Sequence, residues 1–151
     1  MKQKLFRITA LVIFMMSLSL LAEAEVKLPA IFSDNMVMQQ QTEAAIWGTA
    51  TPNSSVRITT SWNKRSYSAK AGIEGKWRVK VSTPAAGGPF SSTITHGKTI
   101  TLRNILIWEV WICSGQSNME MPMKGYRNQP VTGSNEFIAT SSNPGIRLIT
   151  V

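Results

Sequence analysis

An alternation of apolar and polar residues is the feature that most constrains how this chain folds. Residues 76–82 show it most clearly, with Trp77, Val79 and Val81 separated by cationic side chains. Successive side chains of a strand point to opposite faces of a sheet, so this pattern predicts an antiparallel strand with one apolar face. Shorter patterns of the same kind, separated by turns that contain Gly and Pro, recur through residues 25–104. They predict a small antiparallel β-sandwich.

The pattern changes at residue 105. Residues 105–112 are almost continuously apolar, which is typical of a strand buried on both faces of a parallel α/β sheet. The small-residue sequence Ser114-Gly115-Gln116-Ser117 follows this run. Open α/β sheets bind their ligands beyond the carboxyl ends of the strands, so the position suits a reactive serine. We therefore predict a domain boundary near Asn104 and a second domain that covers residues 105–151.

The first 24 residues have the composition of a cleavable export signal. Residues 1–7 are basic, residues 8–21 are apolar apart from three hydroxyl side chains, and Ala22-Glu23-Ala24 offers a small-residue cleavage site. An uncleaved membrane anchor is the alternative, but the apolar stretch is short for a full span. The sequence therefore predicts a signal peptide at residues 1–24 and a mature chain in the periplasm or outside the cell, with no membrane association after cleavage.

The positive charge of the chain does not by itself predict a nucleic-acid partner. The sequence has 16 Lys and Arg against 8 Asp and Glu, but the basic residues are dispersed, as they are on the outward positions of strands. The pattern favours a solvated surface, and no nucleic-acid partner is expected. The single cysteine, Cys113, is interpreted as a small buried side chain. The sequence contains no metal-ligand cluster and no phosphate-binding loop, so neither a metal nor a cofactor is expected.

Several blocks of the sequence resemble one enzyme family. Residues 115–120, Gly-Gln-Ser-Asn-Met-Glu, closely resemble the nucleophile block of the sialate O-acetylesterases, which are carbohydrate esterases of the SGNH-hydrolase type. Residues 28–40 resemble the opening of that family, and further blocks follow in the expected order at residues 46–48, 72–77, 86–89 and 109–111. One position differs, because Trp108 stands where the family usually has glycine. We expect the bulky ring to crowd its strand.

The resemblance implies a mainly β chain. A small N-terminal antiparallel β-sandwich would be followed by the first strand and nucleophile loop of an incomplete α/β SGNH-hydrolase domain, which is flavodoxin-like. It implies that Ser117 is the nucleophile and that the backbone N–H of Ser117 helps to bind the oxyanion. Gln116 and Asn118 are expected either to brace the turn or to contact the substrate. The implied substrate is acetylated sialic acid or another acetylated glycan.

The resemblance also implies a base that this chain lacks. In the family the base is a histidine within an Asp-x-x-His sequence, and no such sequence occurs here. The single histidine, His96, precedes Gly97 at a predicted turn and is not expected to be the base. Since a serine hydroxyl is a weak nucleophile without a base, the chain alone is expected to be inactive.

A non-catalytic module is the alternative interpretation. A β-sandwich that binds a glycan or a protein would use exposed aromatic side chains, and Trp62 and Tyr67 are the candidates in this sequence. Packing in the core is the commoner role for such side chains. The sequence leaves open the oligomeric state, the glycan and the acetyl position.

Overall fold

The structure is a computed structural model that describes residues 25–150, and the predicted signal peptide at residues 1–24 lies outside the described residues. The chain is mainly β, as predicted. Within the described residues, no helix is long and apolar enough to span a membrane, and no three His, Cys, Asp or Glu side chains are placed to hold a metal ion. The elements in chain order are β1 (Val37–Gln39), β2 (Glu43–Thr49), β3 (Ser55–Thr60), β4 (Ser66–Lys70), β5 (Lys76–Ser82), β6 (Gly87–His96), β7 (Lys98–Trp108), α1 (Ser117–Glu120), β8 (Gly125–Tyr126), β9 (Gln129–Pro130) and α2 (Ser134–Thr140).

The strands form one large sheet and two small ribbons. The large sheet has the order β1-β7-β6-β3-β4 and is antiparallel, except that β1 runs parallel to β7. Strands β2 and β5 form an antiparallel ribbon in which Trp47 lies opposite Arg78. Strands β8 and β9 form the second ribbon, which contains only two residues from each strand.

The large sheet and the β2–β5 ribbon share one hydrophobic core. Ile46 and Val81 contribute from the ribbon, while Ile58, Ile94 and Ile105 contribute from the large sheet. These five side chains are fully buried, and burying each of them contributes about 1.5–3 kcal/mol relative to leaving it in water. Most residues on either side of them in the chain are partly or fully exposed, so the alternation in the sequence reflects the two faces of each strand.

Strand β7 passes through the predicted domain boundary without interruption. Between Leu102 and Ile105 its register with β6 shifts, and Asn104 has a positive φ of 55°. A β-bulge of this kind inserts one extra residue, so the buried positions move from even to odd numbers along the strand. The change of hydrophobic pattern at residue 105 therefore arises within one strand, where the bulge changes which residues face the core. The division into residues 25–104 and 105–151 stays a prediction. No strand ends at the predicted boundary, because β7 continues from Lys98 to Trp108.

The apolar strand predicted for residues 105–112 is shorter in the structure. Ile107 is 0% exposed, but β7 ends at Trp108, and Ile112 is 92% exposed. Trp108 is itself 54% exposed, so its ring lies at the surface and the expected crowding is wrong. Cys113 is exposed, and the interpretation of it as a buried residue is also wrong. Both corrections have the same physical reason, because the chain leaves the shared core at the end of β7.

Candidate functional site

The candidate nucleophile, Ser117, is the first residue of α1. Residues 109–116 connect it to the end of β7 and contain no helix or strand. The backbone turns at Gln116, whose carbonyl oxygen accepts a hydrogen bond from the Met119 N–H at 2.9 Å. Ser117, Gln116 and Asn118 are all exposed, and their side chains have no hydrogen-bond partner among residues 25–150. The three predicted site residues are therefore accessible, and no neighbouring side chain holds them.

Gly115 lies close to the side chain of Met119 in α1. A Cβ atom at this position would lie 2.6 Å from Cγ of Met119, which is closer than non-bonded carbon atoms approach. A side chain at residue 115 would therefore require the Met119 side chain to move. The glycine of the motif therefore has a local packing reason, independent of the resemblance.

A hydrogen-bond network holds the point at which the chain leaves β7. Gln39 Nε2 and Gln40 Nε2 donate to the two carboxylate oxygens of Glu109 at 2.9 and 2.6 Å. The Val110 N–H donates to Gln39 Oε1 at 2.9 Å, and the Ala86 N–H donates to Gln40 Oε1 at 2.8 Å. Hydrogen bonds from Gln39 and then from Gln40 stabilise the carboxylate, so they lower the pKa of Glu109. The network anchors the start of the segment that carries the candidate nucleophile.

Sequence reasoning did not find this network. Gln39 and Gln40 belong to the block at residues 28–40, and Glu109 begins another block, but 70 and 69 residues separate the bonded pairs. They meet because β1 lies parallel to β7, with Gln39 beside Trp108. Parallel pairing between strands so far apart has no local sequence signal. The order of the blocks was the only indication that these residues belong together.

A second anchor joins the end of the described chain to the large sheet. The Arg147 guanidinium donates to the carbonyl oxygens of Asn104 and Met36 at 2.5 and 3.2 Å, and to Asn104 Oδ1 at 3.2 Å. Asn104 is the bulge residue of β7, and its Nδ2 donates to Asn35 Oδ1 at 2.6 Å. The chain after α1 therefore returns to the bulge. The carbonyl oxygen and the side chain of Asn104 therefore form hydrogen bonds with residues that lie far away in the sequence.

His96 and the candidate nucleophile belong to chain segments at opposite ends of β7. His96 ends β6 beside the start of β7, whereas Ser117 follows the other end of β7. A strand of 11 residues spans roughly 30 Å at about 3.3 Å per residue. The His96 Nδ1 atom lies 3.2 Å from the carbonyl oxygen of Ser55. The structure therefore does not bring the single histidine to Ser117.

Trp62 and Tyr67, the candidates of the alternative interpretation, pack against the core. Trp62 Nε1 donates to the carbonyl oxygen of Ser82 at 2.8 Å, and its ring packs edge-on against Phe90 with centroids 5.9 Å apart. The Tyr67 hydroxyl accepts a hydrogen bond from Asn63 Nδ2 at 2.9 Å. These contacts account for both aromatic side chains without a ligand.

Comparisons with known proteins identify relatives of this chain. It is 31% identical over 133 residues to a protein from Mus musculus named sialate O-acetylesterase, and 29% identical over 130 residues to the protein of that name from Homo sapiens. These matches cover 81% and 79% of this chain but 24% of each relative, so the chain spans about a quarter of their length. The solved structure of a carbohydrate acetylesterase from Xanthomonas citri matches with a TM-score of 0.60 at 30% identity, over 66% of this chain and 23% of that one. No protein-family model matches the chain.

Proposed function

Over most of its length this chain is a homologue of the sialate O-acetylesterases, and we propose that it carries the nucleophile segment of a carbohydrate O-acetylesterase. One observation carries the proposal: Ser117 is exposed at the first position of α1, within the motif that resembles the nucleophile block of that family. The proposed substrate is acetylated sialic acid or another acetylated glycan, in line with the names of the relatives.

The proposed reaction is transfer of the acetyl group to Ser117, followed by hydrolysis. Ser117 Oγ bonds to the acetyl carbonyl carbon, and the sugar oxygen leaves with the proton that a general base has taken from Oγ. The first N–H groups of a helix have no intrahelical acceptor, so the Ser117 N–H is free to donate to the oxyanion. Gln116 and Asn118 flank the nucleophile and contact the sugar. Water then cleaves the acetyl-serine, which releases acetate and restores the hydroxyl.

The proposal includes a requirement for a base from outside the described residues. His96 lies beside the opposite end of β7 from the segment that leads to Ser117, and its Nδ1 atom lies 3.2 Å from the carbonyl oxygen of Ser55. The Glu109 carboxylate accepts hydrogen bonds from Gln39 and Gln40. We therefore expect that the isolated chain hydrolyses p-nitrophenyl acetate at the same background rate with and without the Ser117→Ala substitution. A rate that depends on Ser117 would show that another group of this chain acts as the base.

A chimera tests the esterase proposal itself. The chain replaces the matching segment of the mouse relative, and acetate release from O-acetylated sialic acid is measured. Ser117→Ala should reduce the rate by about a thousandfold or more, since a nucleophile is removed. Ser114→Ala is the matched control, because it removes another exposed serine of the same segment and should leave most of the activity. A folded chimera without activity, or activity that survives Ser117→Ala, would contradict the proposal.

The finer architecture is part of the same proposal. The large sheet and the β2–β5 ribbon would form a small β-sandwich, and residues 105–151 would begin an α/β domain of the SGNH type. The shared core supports the first assignment. The exposed turn from β7 into α1 supports the second.

Export to the periplasm or the cell exterior also remains a proposal, supported by the composition of residues 1–24. The exported protein is expected to begin at Glu25, which mass spectrometry of the intact product can measure. A product that still begins at Met1 would contradict cleavage after Ala24.

A further inference from the structure

A groove lies beside the β2–β5 ribbon, outside the segment that carries Ser117. Its volume is about 750 Å³, within the range of sites that hold small molecules. Its walls come from residues 27–29, 47–49, 70 and 76–78, and none comes from residues 109–150. The groove therefore shares no lining residue with the segment that carries Ser117.

Backbone contacts shape the groove. Lys27 and Thr49 exchange two N–H···O hydrogen bonds of 2.9 Å, which hold residues 27–29 against β2. A side chain at Gly48 would collide with the carbonyl oxygen of Lys27 and would lie 3.1 Å from Cζ2 of Trp77. Glycine at this position is what allows the segment to approach so closely. The wall formed by residues 27–29 is consequently held against β2 without a ligand.

The lining of the groove is cationic. None of its residues is acidic, and four carry a positive charge: Lys27, Lys70, Lys76 and Arg78. Glu74 lies 2.9 Å from Lys76 Nζ and offsets that charge. The other three cations have no acidic partner among residues 25–150. An anion in the groove would be attracted by all three.

Trp47 gives the groove an aromatic surface next to the cations. Its side chain is 41% exposed. The indole packs edge-on against Phe32, with ring centroids 4.6 Å apart and an angle of 83° between the planes. Arg78 lies directly opposite Trp47 in the ribbon, so the two side chains emerge next to each other on one face. A fixed aromatic ring loses little freedom when a ligand packs on it.

We propose that this groove binds an acidic carbohydrate. Trp47 packs against the apolar face of a sugar ring, and Arg78 and Lys27 contact its carboxylate. Guanidinium suits this role because its N–H groups match both oxygens of a carboxylate. The lining fits a nucleic acid less well, since single-strand sites stack successive bases on several aromatic rings and Trp47 is the exposed aromatic residue of this groove. The inference does not depend on the esterase proposal.

The first arm of the experiment compares ligands. The full chain is titrated with 3′-sialyllactose and with digalacturonate, and lactose serves as the neutral control. We expect the acidic ligands to bind at least about tenfold more tightly than lactose, a difference that electrostatic contacts can supply. Added salt should reduce this preference, because exposed charges are screened. If neither acidic oligosaccharide binds, the proposal is wrong.

The second arm compares variants. Arg78→Ala should weaken 3′-sialyllactose binding by about fivefold, and Trp47→Ala should weaken it by about tenfold. Trp47→Phe keeps an aromatic ring and should retain part of the affinity. Lys80→Ala is the matched control, because Lys80 lies on the same exposed side of β5 but outside the groove. Thermal melting of each variant verifies that it is folded.

The control variants decide between this site and diffuse surface charge. Equal weakening by Lys80→Ala and Arg78→Ala would overturn the proposal, since charge alone would then account for binding. Binding of a thymidine oligonucleotide as tightly as 3′-sialyllactose, without an effect of Trp47→Ala, would also overturn it. None of the probe ligands carries an acetyl ester, so the result is independent of whether Ser117 is a nucleophile.

Discussion

Two parts of the described chain, residues 25–108 and residues 109–150, differ in the contacts that stabilise them. Every buried residue lies between Val26 and Ile107, in the shared core or close to it. Residues 109–150 contain no buried residue, although they carry the motif that resembles a nucleophile block. The part with the clearest chemical signal is therefore the part with no core of its own. A strong motif in a sequence indicates chemistry, and it does not indicate a self-sufficient fold.

Polar anchors attach the second part to the first. Glu109 is held by Gln39 and Gln40, and Arg147 is held by Asn104 and Met36. Meanwhile large apolar side chains remain exposed: Trp111, Ile112, Leu148 and Ile149. Exposed hydrogen bonds contribute less than a packed core. We therefore expect residues 109–150 to open at a lower free energy than the large sheet.

The largest effect should come from Ile107, just before the end of β7, and the exposed Ile112 beyond that end provides the comparison. Ile107→Ala should reduce the free energy of unfolding by about 2–5 kcal/mol, because it leaves a cavity in the shared core. Ile112→Ala should change it by less than about 0.5 kcal/mol, since that side chain is exposed. Urea unfolding of the full chain measures both. Similar losses for the two variants would mean that residues 109–150 have a core after all.

Hydrogen exchange sharpens the same comparison without a mutation. Amides of β6 and β7 should exchange about a hundredfold or more slowly than amides of α2, because the strands open only with the core. The measurement is exchange of the full chain followed by mass spectrometry of peptides. Equal protection of α2 and β7 would contradict the distinction between the two parts.

Trp108→Gly tests the end of β7, where the part of the chain with the core meets residues 109–150. A glycine in a strand costs roughly 0.5–1 kcal/mol of stability, and no crowding is relieved at a residue that is largely exposed. The melting temperature should therefore fall slightly. Trp108→Thr keeps a strand-forming residue and should stay closer to the unsubstituted chain. A rise in the melting temperature of the glycine variant would show that the ring is crowded.

The smallest effect concerns the ionisation of Glu109. Hydrogen bonds from Gln39 and then Gln40 hold its pKa below the ordinary value of 4.5. A lowered folded-state pKa stabilises the fold above the ordinary value, and this contribution is lost as the pH falls through the lowered pKa. Gln39→Ala should raise the pKa of Glu109 towards 4.5, measured by NMR titration of the carboxyl carbon. Gln41→Asn, at a neighbouring glutamine without a contact to Glu109, should leave it unchanged.

Local sequence patterns predicted where strands occur better than they predicted how long each strand is. The alternation at residues 76–82 predicts a strand, and β5 covers Lys76–Ser82, because both faces of a strand are visible in its own sequence. By contrast, β7 reads as two separate pieces in the sequence. Its continuity depends on pairing with β6 and on the bulge at Asn104, which Arg147 contacts. Such long-range contacts have no local pattern.

The sequence by itself determined the mainly β character and the likeness to a family, since each depends on the order of residues along the chain. Only the tertiary structure decided that β7 ends at Trp108 and that Glu109 meets Gln39. It also brought Lys27, Lys70 and Arg78 to one groove, although in the sequence these charges look dispersed over a solvated surface. The physical reason is that periodicity follows from the geometry of consecutive residues, whereas the meeting of distant side chains follows from sheet order and register.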